Sequence, residues 1–225
     1  MVGALARAVG LATLAATALL TGYALFTLPP DAVLTVHWGI DGVANGFAGK
    51  EALLIMPLVT LLVVGVIALA IRFDPKRKNI VRSRDAVSMV LAALALILGA
   101  AQLAIVRSGF GATDRLDSIV LVLLGLLFLT LGYAMPQIRQ NYTIGMRLPW
   151  TIESEKAWDA SHRFIGKAWM LLGVLVTVLG ALSWSLAALG VFFVGLVVSV
   201  CGGAIVAYQT WSKKASKKRR KARRA

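Results

Sequence analysis

Six long apolar runs dominate the pattern of hydrophobic and polar positions along the chain. They cover about residues 8–28, 52–72, 86–106, 117–135, 166–185 and 188–210. Because about 20 apolar residues cross the hydrocarbon core of a bilayer as a helix, each run predicts a transmembrane helix. The expected fold class is all-α, a polytopic membrane protein with six transmembrane helices. Composition agrees, since only 15% of the 225 residues are charged, against about 25% in soluble domains.

The basic residues predict an orientation for these spans. Of the 24 Lys and Arg residues, 21 fall before the first span, in the second and fourth loops, or after the last span. Only Lys50, Arg107 and Arg115 fall in the other loops. By the positive-inside rule the basic side is cytoplasmic, so we expect a multi-pass N-in/C-in protein of the cytoplasmic membrane.

The same features divide the chain into four units. Residues 1–75 hold the first two spans and an outer loop, and 76–135 hold a basic inner linker with spans three and four. Residues 136–211 hold an inner polar stretch with spans five and six, and 212–225 form a basic tail. We expect the tail to attract anionic lipid, at about 1 kcal/mol per charge. Nucleic acid is not an expected partner, because no aromatic residue interleaves the basic ones.

The spans themselves carry small residues but almost no ionisable groups. Coupled transport usually needs charged residues within the membrane, so a pump is not predicted. Alanines recur every four residues at positions 4, 8, 12 and 16, and Gly195, Ser199 and Gly203 share that spacing. Such stripes let helix backbones approach closely. They predict packing within the bundle, with dimerisation as the alternative.

The outer loop from Pro29 to Lys50 has strong local signals. Its two prolines stop the first helix, and "VLTVHW" has the composition of an extended segment. The pairs "DG" at 41–42 and "NG" at 45–46 predict tight turns, and helix is expected again near Glu51.

His37 and Asp41 raise two possibilities within this loop. They could serve a metal ion or a general base, but a histidine that hydrogen-bonds locally and orders the turn is the favoured interpretation. Trp38 and Phe47 are expected at the level of the lipid headgroups, where aromatic residues collect.

The inner stretch "NYTIGMRLPWTIESEKAWDASHR", Asn141–Arg163, is unusually polar and aromatic. Gly145 permits a positive φ and Pro149 favours extended geometry at the preceding residue, so a shaped loop is predicted. Helix is expected after an N-cap at Thr151. The stripe that follows predicts an amphipathic segment lying against the inner membrane surface and running into the fifth span; it comprises Trp158, His162, Ile165 and Trp169.

Two interpretations of this stretch stay open on chemistry alone. In the first it is an elbow at the membrane interface, with Trp150, Trp158 and Trp169 as anchors. In the second it is a binding surface, where Arg147 and Arg163 contact an anion and the tryptophans contact an apolar partner.

The residue pattern N-Y-x-I-G-M-R-x-P-W-T-I-x-S-x-x-x-W-x-x-S-H-R-x-x-G-K resembles that of the SdpI-like family of bacterial membrane proteins. The outer loop resembles a domain of unknown function that commonly precedes this signature. The resemblance implies immunity against a secreted peptide toxin and capture of a cytoplasmic regulator. It also implies the candidate partner-binding residues, which are His37, Trp38, Asn45, Lys50, Asn141, Gly145, Arg147, Pro149, Trp150, Trp158, His162 and Arg163.

The chain departs from the family pattern at several positions. Leu148 and Ser161 replace threonines, Gly49 replaces a serine, and Thr35 stands where proline is frequent. Asn45 replaces an aspartate, which removes a charge and disfavours a cation site there.

The expected function is therefore membrane immunity and signalling, with no catalytic residue, cofactor or metal predicted. The alternatives are a membrane-embedded enzyme acting on lipid through His37 or His162, and an accessory subunit of a transporter. No phosphate-binding loop of the G-x-x-x-x-G-K type occurs.

Overall fold

The computed structural model describes residues 2–39, 41–112 and 117–222, with the side chains at 117 and 214–222 left aside. Eight α-helices and a two-stranded hairpin lie within these ranges. The helices are α1 (Val2–Thr27), α2 (Ile55–Phe73), α3 (Arg77–Arg82), α4 (Arg84–Gly109), α5 (Asp117–Ala134), α6 (Pro149–Glu153), α7 (Glu155–Ala181) and α8 (Ser185–Ala222). The strands are β1 (Leu34–Trp38) and β2 (Ala44–Ala48).

Six helical segments within the described ranges are long and apolar enough to cross a membrane. The predicted fold class is confirmed: the chain is a helical, multi-pass protein of the cell membrane. The fifth span begins earlier than predicted, because α7 runs without a break from Glu155. We call the end of the bundle that carries β1 and β2 the hairpin end. The opposite end, which carries α3 and the loop 138–148, is the linker end.

The spans form two halves, each with its own apolar core. In the N-terminal half α1 packs on α4, and the hairpin closes a core made of Ala24, Leu28, Leu34, Ala52, Leu53, Ile105 and Val106. In the C-terminal half α7 packs on both α5 and α8. That core consists of Leu121, Phe128, Leu172, Val176 and Ala188. Contact between α4 and α5 joins the halves within the membrane.

Helices α5 and α7 approach each other through paired glycines. A Cβ at Gly173 would lie 2.7 Å from the carbonyl oxygen of Gly125, and a Cβ at Gly125 would lie 2.8 Å from that of Gly173. Gly132 and Gly166 repeat this relation one heptad away, at 2.7 and 2.8 Å. The absent side chains therefore set the distance between these two backbones, as is common between membrane helices.

The two small-residue stripes differ in what covers them. Gly195, Ser199 and Gly203 pack against α7 as predicted, and Ser199 Oγ accepts a hydrogen bond of 2.9 Å from Trp169 Nε1. The within-bundle prediction is wrong for α1, where the alanines at 4, 8, 12 and 16 are all exposed. Helix α1 instead buries another face, which carries Gly3, Thr17, Thr21 and Ala24.

A fully buried amide ties the N-terminal half together within the membrane. Gln102 Nε2 donates to Thr21 Oγ1 at 2.9 Å and to the carbonyl oxygen of Leu53 at 3.0 Å. These bonds join α4 to α1 and to the 3₁₀ turn Lys50–Leu54. Interhelical hydrogen bonds of this kind hold membrane helices in register.

The outer loop forms an antiparallel hairpin, so the predicted extended segment is confirmed. Its turn contains Gly42 with φ 74°, as the Asp-Gly pair predicted, and Asp41 Oδ1 accepts from the Val43 amide at 3.1 Å. The second predicted turn is wrong, because Asn45 and Gly46 lie inside β2. Gly46 pairs with His37 at an irregularity in the register. A Cβ there would lie 2.7 Å from that of His37, so the glycine serves close strand approach.

Candidate functional site

The loop 138–148 at the linker end is held from one side by a buried carboxylate. Asp74, at the end of α2, is 7% exposed. Its Oδ1 accepts from the Lys76 amide at 2.7 Å. Its Oδ2 accepts from the Tyr142 amide at 2.8 Å and from Thr143 Oγ1 at 2.7 Å. One side chain of the N-terminal half therefore positions the loop that precedes the C-terminal helices.

Gln140 continues this connection between the halves. Its Oε1 accepts from Lys76 Nζ, and its Nε2 donates to the carbonyl oxygens of Thr151 and Ile152 at 2.6 and 2.8 Å. Asn79 Nδ2 donates to the Gln140 carbonyl at 2.8 Å. Asp74, Asn79 and Gln140 were missed by the sequence analysis. The only local signal was the Asp74-Pro75 pair, which is typical of a turn.

Asn141 shapes the loop from inside. Its side chain is completely buried. Its Oδ1 accepts from the amides of Thr143 and Ile144 at 2.8 and 2.6 Å, and its Nδ2 donates to the carbonyl oxygens of Arg139 and Ile144 at 2.8 and 3.0 Å. Because four backbone groups are satisfied by one amide, Asn141 acts as an internal template for the turn.

Gly145 follows, and the prediction of a positive φ is confirmed at 120°. The residue lies on the stacked rings of Trp158 and His162, whose centroids are 4.0 Å apart. A Cβ at position 145 would fall on His162 Nε2 and 2.9 Å from the Trp158 ring. Trp158 Nε1 in turn donates to the Ile138 carbonyl at 2.7 Å. The loop therefore closes over helix α7 only because position 145 has no side chain.

The hydrogen bonds of His162 define its protonation. The Met146 amide donates to Nε2 at 3.2 Å, so Nε2 is an acceptor. Nδ1 lies 2.8 Å from the carbonyl oxygen of Trp158, which can only accept, so Nδ1 carries the proton. The imidazole is thus neutral, with both nitrogens bonded to backbone groups. In this arrangement His162 joins the loop to α7.

The sequence predicted a helix N-cap at Thr151, and the structure has none there. Thr151 lies in the first turn of α6, where its Oγ1 accepts from the Leu148 amide at 2.8 Å. Ser154 is the residue that caps α7, accepting from the Ala157 amide at 3.4 Å. Pro149 opens α6, and Leu148 is extended with ψ 156°, as predicted. A short extra helix thus separates the loop from α7.

The predicted stripe on α7 faces the protein interior and not the membrane surface. Trp158, His162 and Ile165 are no more than 1% exposed, and Trp169 packs against the core of the C-terminal half. Trp158 therefore cannot anchor the protein at the interface. Two aromatic residues of the stretch face outward at least in part. Tyr142 is 45% exposed, and Trp150 is partly exposed, with its ring 5.5 Å from that of Tyr208 of α8 between centroids.

The candidate residues at the linker end thus divide into a support and a surface. Asn141, Trp158 and His162 are buried and shape the loop. Arg147, Pro149 and Arg163 are exposed. Arg147 Nη1 donates to the Tyr142 carbonyl at 2.9 Å, which fixes the guanidinium on the outside of the loop. Of these two groups a partner can touch only the second, and Gly145 and Trp150 are partly exposed beside it.

The candidate residues of the hairpin end form a separate cluster. His37 Nδ1 lies 2.6 Å from Asn45 Oδ1 across the two strands. The histidine therefore makes a local hydrogen bond, which is the interpretation that the sequence favoured. Lys50 Nζ donates to the Leu28 carbonyl at the end of α1. Trp38 packs against the core of the N-terminal half. The structure therefore places the two groups of candidate residues at opposite ends of the bundle.

This architecture defines a class, that of polytopic helical membrane proteins with a structured loop at each end. Residues 137–208, which contain the linker-end loop and helices α6 and α7, match the model of the SdpI/YfhL protein family. The SdpI-like resemblance of this part of the chain is therefore confirmed. The hairpin lies outside the matched residues.

Among curated proteins the chain is similar to the immunity protein SdpI of Bacillus subtilis (strain 168). The two are 30% identical over 84 residues, which is 37% of this chain. The match spans 41% of that relative's own length. No solved structure matches.

Proposed function

We propose that this chain is an immunity and signalling protein that protects its cell from a secreted peptide toxin. One observation carries the proposal: the segment matched to the SdpI/YfhL family includes the Asn141–His162 unit described above. A relative bearing the name of an immunity protein is similar over a stretch of comparable length. The buried hydrogen bonds of this unit support a role beyond linking α5 to α7, because a plain linker does not need such bonds.

The orientation in this proposal follows from charge. The basic residues concentrate at the linker end, which puts that end in the cytoplasm and the hairpin outside. A reporter fused after Ala225 that works only outside the cytoplasmic membrane should stay silent. Activity of that reporter would show that the linker end lies outside and the hairpin end lies in the cytoplasm.

The hairpin is the surface that we assign to the toxin. His37, Asn45 and Phe47 are exposed on it, and the bond between His37 and Asn45 holds the two strands in one arrangement. A preorganised polar and aromatic surface costs little conformational entropy when it binds a peptide.

The linker end is the surface that we assign to a cytoplasmic regulator. Exposed Arg147 and Arg163 supply positive charge there, and the loop bonded to Asp74 keeps Arg147 in place. Charged groups on such a rim direct recognition and association. An acidic face on the regulator would complement them.

His162 gives no support to the lipid-enzyme alternative, and His37 has only one nitrogen, Nε2, left for such a role. His162 is buried with both nitrogens bonded to the backbone. A general base needs a nitrogen within reach of a substrate proton, and His162 would first have to give up one of these bonds. His37 has its Nδ1 engaged with Asn45.

The proposal is tested in Bacillus subtilis cells that lack their own SdpI, grown beside siblings that keep it. We expect this chain to restore survival, and a His37→Ala, Trp38→Ala double variant to lose it. Val33→Ala is the matched control, since Val33 is exposed just before β1. Membrane abundance is measured for each. No protection by the abundant unaltered chain would reject immunity in this setting. Protection by the double variant would remove the hairpin from the mechanism.

A further inference from the structure

A groove of about 720 Å³ lies between α4 and α5 at the hairpin end. Ala100, Ala101 and Ala104 form part of one wall, and Leu123 and Leu127 form part of the other. The hairpin lines one end of it through Trp38 and Phe47. Its volume is within the range of about 300–1,000 Å³ that small-molecule sites occupy.

The walls of this groove cannot close on each other easily. Helix α5 is fixed to α7 by glycines whose backbones already touch, as at Gly125 and Gly173. Helix α4 is fixed to α1 and to the 3₁₀ turn by the bonds of Gln102. Since each wall is bound on its far side, the space between the two halves of the protein persists. Thr35 and Arg107 also line the groove, but its other lining residues are apolar or aromatic. Water does not stabilise the apolar part of this space, because apolar walls offer it no hydrogen-bond partners.

The groove is continuous with the surface that the spans present to the bilayer. Leu103, Ile119 and Val120 line it and are 46%, 53% and 53% exposed. These side chains belong to membrane-spanning helices, so they meet lipid. We expect Trp38 and Phe47 of the hairpin at the headgroup level of the membrane, where aromatic residues collect. An acyl chain can therefore enter from the side without leaving the hydrocarbon region.

We propose that this groove is a binding site for an acyl chain of a membrane phospholipid from the leaflet at the hairpin end. A lipid tail gains no hydrophobic free energy on leaving other tails, since these are as apolar as leucine. The attraction comes from dispersion contacts with the groove walls, which an unfilled space would forfeit. The bound chain completes the packing between the two halves, and its headgroup lies beside the hairpin. This site is independent of the proposed immunity function.

The test uses the full chain in phosphatidylcholine vesicles with a small fraction of phosphatidylcholine that bears a diazirine in one acyl chain. After illumination, labelled residues are mapped by mass spectrometry. We expect heavier labelling within 97–104 and 119–127 than the exposure of these residues predicts, because a held chain keeps its diazirine against them. The exposed face of α1, where Leu11 and Leu19 are 68% and 75% exposed, should label only as strongly as its exposure predicts.

Two variants fill the groove and one serves as the control. Ala104→Phe should abolish the excess labelling. A melting curve shows whether this variant folds, and if it does not, the smaller change Ala101→Leu should lower the excess. Ala12→Phe adds the same bulk on the exposed face of α1 and should change nothing. Labelling that follows exposure alone, or survives both groove variants, overturns the proposal. If the groove variants keep the label but abolish survival in the toxin assay, the groove belongs to the peptide and the lipid site is rejected.

Discussion

Gly145 and His162 determine each other's position at the linker end. Any Cβ at position 145 would fall on Nε2 of the imidazole, and the next amide along the chain, that of Met146, donates to the same nitrogen at 3.2 Å. The φ of 120° that brings this amide inward is one that residues with side chains rarely adopt. The course of the loop and the packing of α7 are therefore one structural unit.

Gly145→Ala should destabilise the protein for two reasons. The backbone strain alone costs about 1–3 kcal/mol, and the clash with His162 adds to it. We expect a lower melting temperature in detergent and reduced membrane abundance. Gly190→Ala is the matched control, because a Cβ there meets nothing within 4 Å. Equal melting temperatures for the two variants would contradict the assigned contact.

Asp74→Asn should loosen the loop while leaving the spans intact. The carboxylate accepts from three donors on Lys76, Tyr142 and Thr143, and an amide offers one oxygen where the carboxylate offers two. Each buried donor left without an acceptor costs about 1–3 kcal/mol. We expect faster hydrogen exchange at the amides of Lys76 and Tyr142, from which Asp74 accepts directly. Asp159→Asn, at an exposed site on α7, should leave that exchange unchanged. Slow exchange in the Asp74 variant would show that the loop is held by other contacts.

Gly173→Ala should weaken the joint between α5 and α7. The new Cβ would lie 2.6 Å from the Leu129 amide nitrogen and 2.7 Å from the Gly125 carbonyl oxygen. Backbone atoms of a helix cannot rotate away as a side chain can, so the helices must separate. Overpacking of this kind costs about 1–3 kcal/mol. The melting temperature should fall, whereas Gly65→Ala on α2, where space is open, should preserve it. A stable Gly173 variant would mean that the helices separate at little cost.

The spans and the turn at Gly145 were predictable because their signals are local. A run of apolar residues is enough for a span, and a glycine in a segment with no helix or strand periodicity indicates an unusual backbone. What covers an apolar face was not predictable. Both lipid and a neighbouring helix are apolar, so the alanine stripe of α1 was assigned to the bundle and the Trp158 stripe to the membrane surface. The structure reverses both assignments.

The hydrogen bonds of Asp74 and Gln140 could not be predicted from the sequence for a different reason. Asp74 reaches Tyr142 across 68 positions of the chain, and Lys76 reaches Gln140 across 64. Periodicity and turn chemistry describe neighbours in sequence, so they carry no information on such pairs. Only the packing of the two halves brings these polar groups together.

Arg147 separates a docking surface from a purely structural loop. Its side chain is exposed and makes one bond, from Nη1 to the Tyr142 carbonyl at 2.9 Å. An exposed charge contributes little to stability, so Arg147→Ala should keep its melting temperature and membrane abundance. If the linker end binds a regulator, the same variant should lose signalling and capture of that regulator in a pull-down. Arg147→Lys should restore capture only in part, because lysine keeps the charge but not the planar set of donors.

Lys156→Ala, an exposed cation in the first turn of α7, is the control and should bind normally. Full capture by Arg147→Ala would reject docking at this residue, and the loop would then serve only to hold α7 against the N-terminal half.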